Sequence, residues 1–245
     1  GELVAVVGGR ATPVQKLQLN RAYQMKMPVG SSIKPLAVYG PAWDLGASPG
    51  SPVMNMPIKI NGWNSSRGYP QNYGGGGYAG PESMRTAMMK SHNTSTAQAL
   101  YNYVGIDNSV YYLKQLGVSE SHINADGAGL ALGTSGITPV EMAAAFGAIG
   151  NKGEYVSPVA FTRVLNTDGS VFLESSTYQE RRQAFKESTA WLLVDVLKQC
   201  ASSSGTGKRA QFGDITVAGK TGTNSDYKGV FFAGLTPYYS GAVWI

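Results

Sequence analysis

The sequence holds a single cysteine, Cys200, and only two histidines, His92 and His122. One cysteine excludes an internal disulfide and any metal site built on clustered thiolates. Two histidines 30 positions apart leave neither a His-x-x-x-His pair nor a Ser-His-Asp arrangement. A histidine general base is a poor expectation, so a base has to be another group. Charged residues make up only 14% of the chain, and no apolar run approaches the ~20 residues that span a bilayer. The 20 basic and 15 acidic residues give +5, but Lys and Arg are scattered, without a nucleic-acid-binding signature. That excess reads as a matter of solubility.

What is present is a chain of 245 residues, 42% hydrophobic and rich in glycine at 32 residues. It can bury a sizeable core and suits a loop-rich globular enzyme. Leu3 to Val7 reads as a strand ended by Gly8-Gly9, and Asn20 to Met27 as a second extended segment. A helix is expected from about Ser31 to Leu45. Residues 46–80 form a long irregular stretch centred on Gly74-Gly75-Gly76-Gly77, and long loops in compact domains are often functional. From Pro81 to Gly117 the pattern turns helical, with Met84, Ala87, Met88 and Ser91 on one face. Thr138-Pro139 opens a further helix with Met142, Phe146 and Ile149 as its buried stripe. Asn166-Thr167-Asp168-Gly169 marks a hairpin between Phe161–Leu165 and Ser170–Leu173. Glu187 to Ala201 reads as a helix that packs Cys200. Strands are expected over Ile215–Thr223, Val230–Leu235 and Ser240–Ile245, joined by a turn at Thr236–Tyr239. Both ends read as strands cut from something longer. Ser204-Gly205-Thr206-Gly207-Lys208 lacks the spacing of a phosphate-binding loop and follows a helix, which excludes that reading.

Three short motifs follow one another: Ser31-Ser32-Ile33-Lys34, Ser91-His92-Asn93 and Lys220-Thr221-Gly222-Thr223. A serine hydroxyl needs a base to become a good nucleophile. On a helix, residues three apart share a face, so the Lys34 amine is expected to reach the Ser31 hydroxyl. Lysine serves as that base once burial or a second cation lowers its pKa, and Lys220 is a candidate for the second cation. Ser91 offers a hydroxyl to relay a proton to a leaving amine. Asn93 offers both a donor and an acceptor, suited to a substrate amide and to Lys34. Strand alternation puts Lys220 and Gly222 on one face, with Thr221 and Thr223 on the other. Lys220 and Thr221 suit a carboxylate, and Gly222 permits close approach of another chain. The backbone N–H groups of Ser31 and Thr223 are candidates for an oxyanion hole. His92 receives no role. One tension remains, since Lys34 precedes Pro35 and such residues disfavour the helical region.

Motifs of this kind in this order mark serine β-lactamases and penicillin-binding proteins. The chain resembles the transpeptidase domain of class A (bifunctional) penicillin-binding proteins over nearly its whole length. The resemblance is carried by Asn20-Arg21-Ala22 leading into Val29–Leu36, by Leu130–Gly133 with Ile137–Met142, and by Gly205–Lys208 before Ala218–Thr223. The ending from Gly234-Leu235-Thr236-Pro237 to Ala242-Val243-Trp244 adds to it. It implies an α+β fold, a mostly antiparallel five-stranded sheet flanked by helices. Residues 1–245 would form one transpeptidase domain, with a helical subdomain inserted at about 46–150. It implies D-alanyl-D-alanine transpeptidation of peptidoglycan stem peptides through a Ser31 acyl-enzyme, acylation of the same serine by β-lactam antibiotics, and no metal or organic cofactor. The catalytic set would be Ser31, Lys34, Ser91, Asn93 and Lys220, with Thr221, Gly222 and Thr223 binding substrate. The parent protein would be anchored at the extracytoplasmic face of the bacterial membrane beside a glycosyltransferase domain, this part itself being soluble.

The sequence departs from the family pattern in lacking a strand before Gly1 and a helix after the last strand. Gly229 stands where the family often carries Asp. Open alternatives are a β-lactam sensor, a D,D-carboxypeptidase, or a serine β-lactamase, which needs a base for water. Glu141 and Glu154 lie between the second and third motifs, and neither sits in a context that marks such a base.

Overall fold

Three helical pitches succeed one another between Gly30 and Asp44 in the computed structural model, which describes residues 1–10, 16–58, 70–75, 77–224 and 229–245. Gly30–Ile33 is a 3-10 turn, Pro35–Tyr39 a π turn, and Gly40–Asp44 an α-helix. The expected helix is therefore present, though not as a uniform α-helix. Lys34 is helical (φ −51°, ψ −42°) despite preceding Pro35. The run absorbs the proline by widening behind it, where the Gly40 N–H closes on the Pro35 carbonyl. Leu36, Ala37, Val38 and Tyr39 are all fully buried, so this segment is the axis around which the core is built.

The N-terminal half places α1 (Arg21–Gln24), β1 (Met27–Pro28) and α2 (Gly40–Asp44) before a hairpin of β2 (Pro52–Asn55) and β3 (Gly80–Ser83). Asn20–Met27 is thus not one extended segment. The Asn20 side chain accepts from Ala22 N at 3.0 Å and starts a helical turn. Residues 59–69 and Gly76, within the irregular stretch, lie outside the described residues. Next come α3 (Met84–Lys90), α4 (Asn93–Ala99), α5 (Ile106–Gln115), α6 (Gly127–Leu132) and β4 (Gly136–Ile137), which pairs with β1. Met84, Ala87 and Met88 are buried as their spacing predicts. α7 (Pro139–Gly150) opens with a capping box between Thr138 and Glu141, and Met142, Phe146 and Ile149 are buried.

β5 (Glu154–Val156) pairs with β8 (Arg181–Gln183), and the predicted hairpin forms from β6 (Arg163–Leu165) and β7 (Val171–Glu174). α8 (Glu187–Cys200) buries Leu193, Val196, Leu197 and Cys200. The main sheet is antiparallel in the order β11–β10–β9, from β9 (Ala218–Thr223), β10 (Val230–Leu235) and β11 (Ser240–Trp244). The α7 helix packs on β10 and β11, and α8 packs on β9.

The described residues thus give a three-stranded main sheet where five strands were expected. Leu3–Val7 forms no strand. The segment is held at its ends, by a Glu2–Val159 bridge with the Leu3 N–H on the Val159 carbonyl at 2.9 Å and by the Arg21 N–H on the Gly8 carbonyl at 3.3 Å. A cavity of about 1280 Å³, lined by residues 1–10, α7 and β11, lies alongside it. An apolar run becomes a strand only with a ladder partner in reach, and here the neighbouring sheet edge stands across that space.

The indole nitrogen of Trp244 is, among the described residues, the one buried side-chain nitrogen or oxygen without a hydrogen-bond partner. A Cβ at Gly229 would lie 3.1 Å from that nitrogen and 2.9 Å from Asn224 Nδ2, and both are donors. Once the flexible Asn224 amide shifts off the new Cβ and the indole yields a few tenths of an ångström, Gly229→Asp should satisfy an orphan donor worth roughly 1 kcal/mol. The expected result is a thermal midpoint about 2–4 °C higher. A midpoint unchanged or lowered would refute this account of the contact.

Candidate active site

Helix α3 ends at Ser91, whose φ of 61° puts a non-glycine residue in the left-handed region. That conformation costs of order 1 kcal/mol and persists where surroundings impose it. His92 then precedes α4, and Asn93 is that helix's first residue. The second motif is thus the corner between two helices.

Lys34 is fully buried, and its amine spends its protons on this corner. It donates to the Asn93 Oδ1 at 2.7 Å, the Ser91 carbonyl at 2.8 Å and the Ser91 Oγ at 3.3 Å. The expected Lys34–Ser31 bond is not formed, and Ser31 Oγ has no hydrogen-bond partner among the described residues. A buried ammonium must satisfy all its donors, and the 91–93 corner offers a carbonyl and an amide oxygen that a hydroxyl cannot match. Catalytic hydrogen bonds of this kind often close only with substrate in place.

Lys220 projects from β9 to the same point. It donates to Ser91 Oγ at 3.0 Å and to the Thr221 carbonyl at 3.1 Å. Ser91 Oγ therefore accepts from both lysines, which leaves its own proton free to point elsewhere. Both amines are fully buried. Burial, and then the charge of Lys220, holds Lys34 well below the ordinary lysine range. Burial brings Lys220 down to about 8.

The first motif meets the third through glycines. A Cβ on Gly222 would lie 2.0 Å from the Val29 carbonyl, and one on Gly30 would lie 2.5 Å from the Thr223 carbonyl. Gly133, with φ of +86°, would press a Cβ to 2.0 Å from the Gly30 carbonyl. The close approach anticipated at Gly222 is thus made by the protein's own nucleophile segment. Ladder alternation aims the Thr223 N–H away from β10, since Val230 bonds across to Ile245. The Thr223 amide therefore faces Gly30, beside Ser31. Ser31 lies in the first turn of its 3-10 segment, where N–H groups lack a partner in the helical ladder.

Several participants were not singled out in the sequence. Thr206 Oγ1 lies 2.7 Å from Thr221 Oγ1, and Lys220 Nζ reaches it at 3.5 Å. Lys90 holds the same loop through the Ser204 carbonyl at 2.9 Å. Asn93 is gripped from the irregular stretch, its N–H by Asn72 Oδ1 at 2.8 Å and its Nδ2 by the Gln71 carbonyl at 2.7 Å. Gly205-Thr206-Gly207 was the one available signal for Thr206. Nothing in the spacing pointed to Asn72.

Thr206 orients the hydroxyl of Thr221, so Thr206→Val should slow acylation by a carboxylate-bearing penicillin about 5–10-fold, the equivalent of one hydrogen bond. The penicillin methyl ester should be affected less, and Thr206→Ser should restore the rate. Equal losses for acid and ester would contradict this role.

Chemically, the site combines an unengaged serine hydroxyl, a buried amine of lowered pKa, a second hydroxyl between two amines, and outward-facing N–H groups. Such a set suits acyl transfer to and from a serine. The family described as the penicillin-binding protein transpeptidase domain matches residues 1–245. Penicillin-binding protein 1A of Clostridium acetobutylicum is 38% identical over 253 residues, covering 100% of this chain and 31% of that protein. The chain thus spans about a third of the length of this relative. Penicillin-binding protein 1A of Haemophilus influenzae superposes with a TM-score of 0.80 at 24% identity, over 94% of this chain and 39% of that one. The imipenem acyl-enzyme complex of penicillin-binding protein A from M. tuberculosis gives 0.78 at 21% identity, over 92% of this chain and 56% of that one. These two likenesses establish a shared fold. The full-length family match and the identity to the clostridial protein go further: this chain belongs to the penicillin-binding protein transpeptidase domain family.

Proposed function

We propose that this domain is a D-alanyl-D-alanine transpeptidase that cross-links peptidoglycan stem peptides through a Ser31 acyl-enzyme and is acylated by β-lactams at the same residue. The observation that carries the reading is the convergence of Lys34 and Lys220 on Ser91 Oγ, at 3.3 and 3.0 Å. Two buried amines share one hydroxyl, and with Lys220 as the cation of the pair they form a receptor that the terminal carboxylate of a stem peptide fits.

In this mechanism Lys34, as the free amine, takes the proton of Ser31 while Oγ bonds to the carbonyl carbon of the penultimate D-alanine. Charge developing on the carbonyl oxygen meets the N–H groups of Ser31 and Thr223. Ser91 passes its proton to the departing nitrogen and takes in exchange the one Lys34 removed from Ser31, so D-alanine leaves as the peptide C–N bond breaks and the Lys34 amine is free again. Lys220 and Thr221 hold the substrate carboxylate, and Asn93 holds Lys34. An acceptor amine then attacks the ester, forms the new peptide bond and returns the proton to the Ser31 oxygen.

Hydrolysis in place of transfer needs a base for water near the ester. Glu141 is occupied by Thr138 and His122 at 2.8 and 3.0 Å, and Glu154 faces Arg181 at 3.6 Å. This favours a long-lived acyl-enzyme over β-lactamase turnover.

By the same family resemblance, the parent protein would sit at the extracytoplasmic face of the membrane and carry a glycosyltransferase domain. No described helix is long and apolar enough to cross a membrane.

The test is incubation with a fluorescent penicillin, followed by denaturing electrophoresis and intact mass, for wild type and Ser31→Ala. A lasting one-to-one adduct lost in the variant is expected. Rapid turnover of the penicillin would point to a lactamase. D-Alanine release from a stem-peptide mimic, with product joined to an added amine, separates the transpeptidase from a sensor and from a carboxypeptidase.

A further inference from the structure

His92 stands between the two residues that Lys34 uses, yet its side chain turns away from them. Its Nδ1 lies 2.8 and 3.0 Å from the two carboxylate oxygens of Glu82, on β3. Glu82 is only 6% exposed, and its Oε1 also accepts from Ser95 Oγ at 2.5 Å. One carboxylate thereby clamps the residue before α4 and the third residue within it.

We propose that Glu82 and His92 form a positioning pair that fixes the Ser91–Asn93 corner, and through it Lys34, so that acylation depends on two residues outside the reacting atoms. This rests on the Ser31 acyl-transfer reading above.

Three observations support the assignment. The corner is strained at Ser91 and α4 has no side-chain cap of its own, so its geometry must be imposed by tertiary contacts. Glu82 sits on a paired hairpin opposite Val53, which makes β2–β3 a firm support for the clamp. The same hairpin supplies Asn55, whose Nδ2 packs 2.9 Å from His92 Nδ1 without a hydrogen bond between them, since the Nδ1 proton goes to Glu82 and both nitrogens are donors. Asn55 Oδ1 accepts from Thr94 Oγ1 at 2.9 Å and from Asn72 Nδ2 at 2.7 Å, while Asn72 Oδ1 accepts from Asn93 N. Glu82 therefore holds the corner at His92 and Ser95, while the Asn55–Asn72 pair holds it at Thr94 and at the Asn93 N–H. All three hydrogen bonds of the Lys34 amine among the described residues end on this corner, and misplacement of a catalytic group by about 1 Å can cost about 10²-fold.

The experiment measures acylation rate against fluorescent penicillin concentration in the full chain for E82A, E82Q, H92A, the double alanine variant and E82Q/H92F. The alanine variants should lower the maximal rate about 10-fold, with half-saturation within about 2-fold of wild type because Lys220 and Thr221 are untouched. The double variant should be no slower than the slower single one, as for two members of one contact. E82Q should recover most of the rate, since its amide oxygen still accepts from Nδ1–H and Ser95. E82Q/H92F fills similar space without an imidazole donor or a stranded charge. It must acylate about 10-fold more slowly than E82Q, which keeps the test intact if the alanine variants fail to fold. Wild-type rates in the single variants, additive losses in the double, or E82Q as slow as E82A would overturn the proposal. A wild type that forms no adduct would instead overturn the acyl-transfer reading.

Discussion

Lys34→Met is expected to slow acylation by penicillin by about 10³-fold, within the ~10²–10⁴-fold that a positioned base contributes. Methionine keeps the unbranched length of lysine and fills the same fully buried site, so the loss isolates the amine. Burial depresses the pKa of that amine first and the neighbouring Lys220 charge adds to it, so the neutral base is populated well below the ordinary 10.5. The variant leaves Asn93 Oδ1 and the Ser91 carbonyl without their donor, a stability cost of about 1–3 kcal/mol. A lower thermal midpoint with intact ellipticity is therefore part of the expected result. Ser91→Ala should cost less in acylation, because it removes a relay and leaves the base. If Lys34→Met acylates within about 10-fold of wild type while Ser91→Ala does not, the base is not Lys34 and the roles must be exchanged.

That Lys34 and Lys220 meet at the second motif was legible because chemistry restricts the choice, and their roles as base and carboxylate partner belong to the proposal. With two histidines and one cysteine, few groups can deprotonate a serine, and motif order supplied the rest. The helical pitch around the nucleophile was half legible. Pro35 announced a helix start and a conflict at Lys34, but no local rule says that a π turn resolves it. Gly222 read correctly as a point of close approach, while the identity of the approaching chain, Val29–Ser32, depends on contacts nearly two hundred residues apart. Glu82 and Asn72 were not legible, and Thr206 only as part of the Gly205–Lys208 segment, for a related reason. Each is an ordinary polar residue whose meaning comes from a partner on another element. The run Leu3–Val7 has strand composition and forms no strand, because composition specifies a tendency and a ladder needs a neighbour.

Lys220→Met should show how the site trades stability for function. The Lys220 amine has a folded-state pKa of about 8 against an ordinary 10.5, a difference of roughly 3 kcal/mol between its two protonation states. Between those values the unfolded chain holds the proton and the folded one does not, so wild-type stability rises as pH climbs from about 8 to about 10.5. Below that window the folded protein carries a buried ammonium, whose desolvation its hydrogen bonds offset only in part. Lys34 contributes a rise of the same sign and remains in the variant. Urea unfolding across pH 7 to 10.5 should therefore show a rise in Lys220→Met smaller by up to roughly 3 kcal/mol than in wild type. Acylation should fall about 10²-fold or more, as expected when one partner of a buried charge pair with the substrate carboxylate is removed. Its pH profile should also move upward, because the repulsion that helps keep Lys34 neutral is gone. Parallel stability curves for the two proteins would mean that Lys220 is not charged against a desolvation penalty in the fold. An unmoved acylation profile would mean that Lys34 is tuned by burial alone.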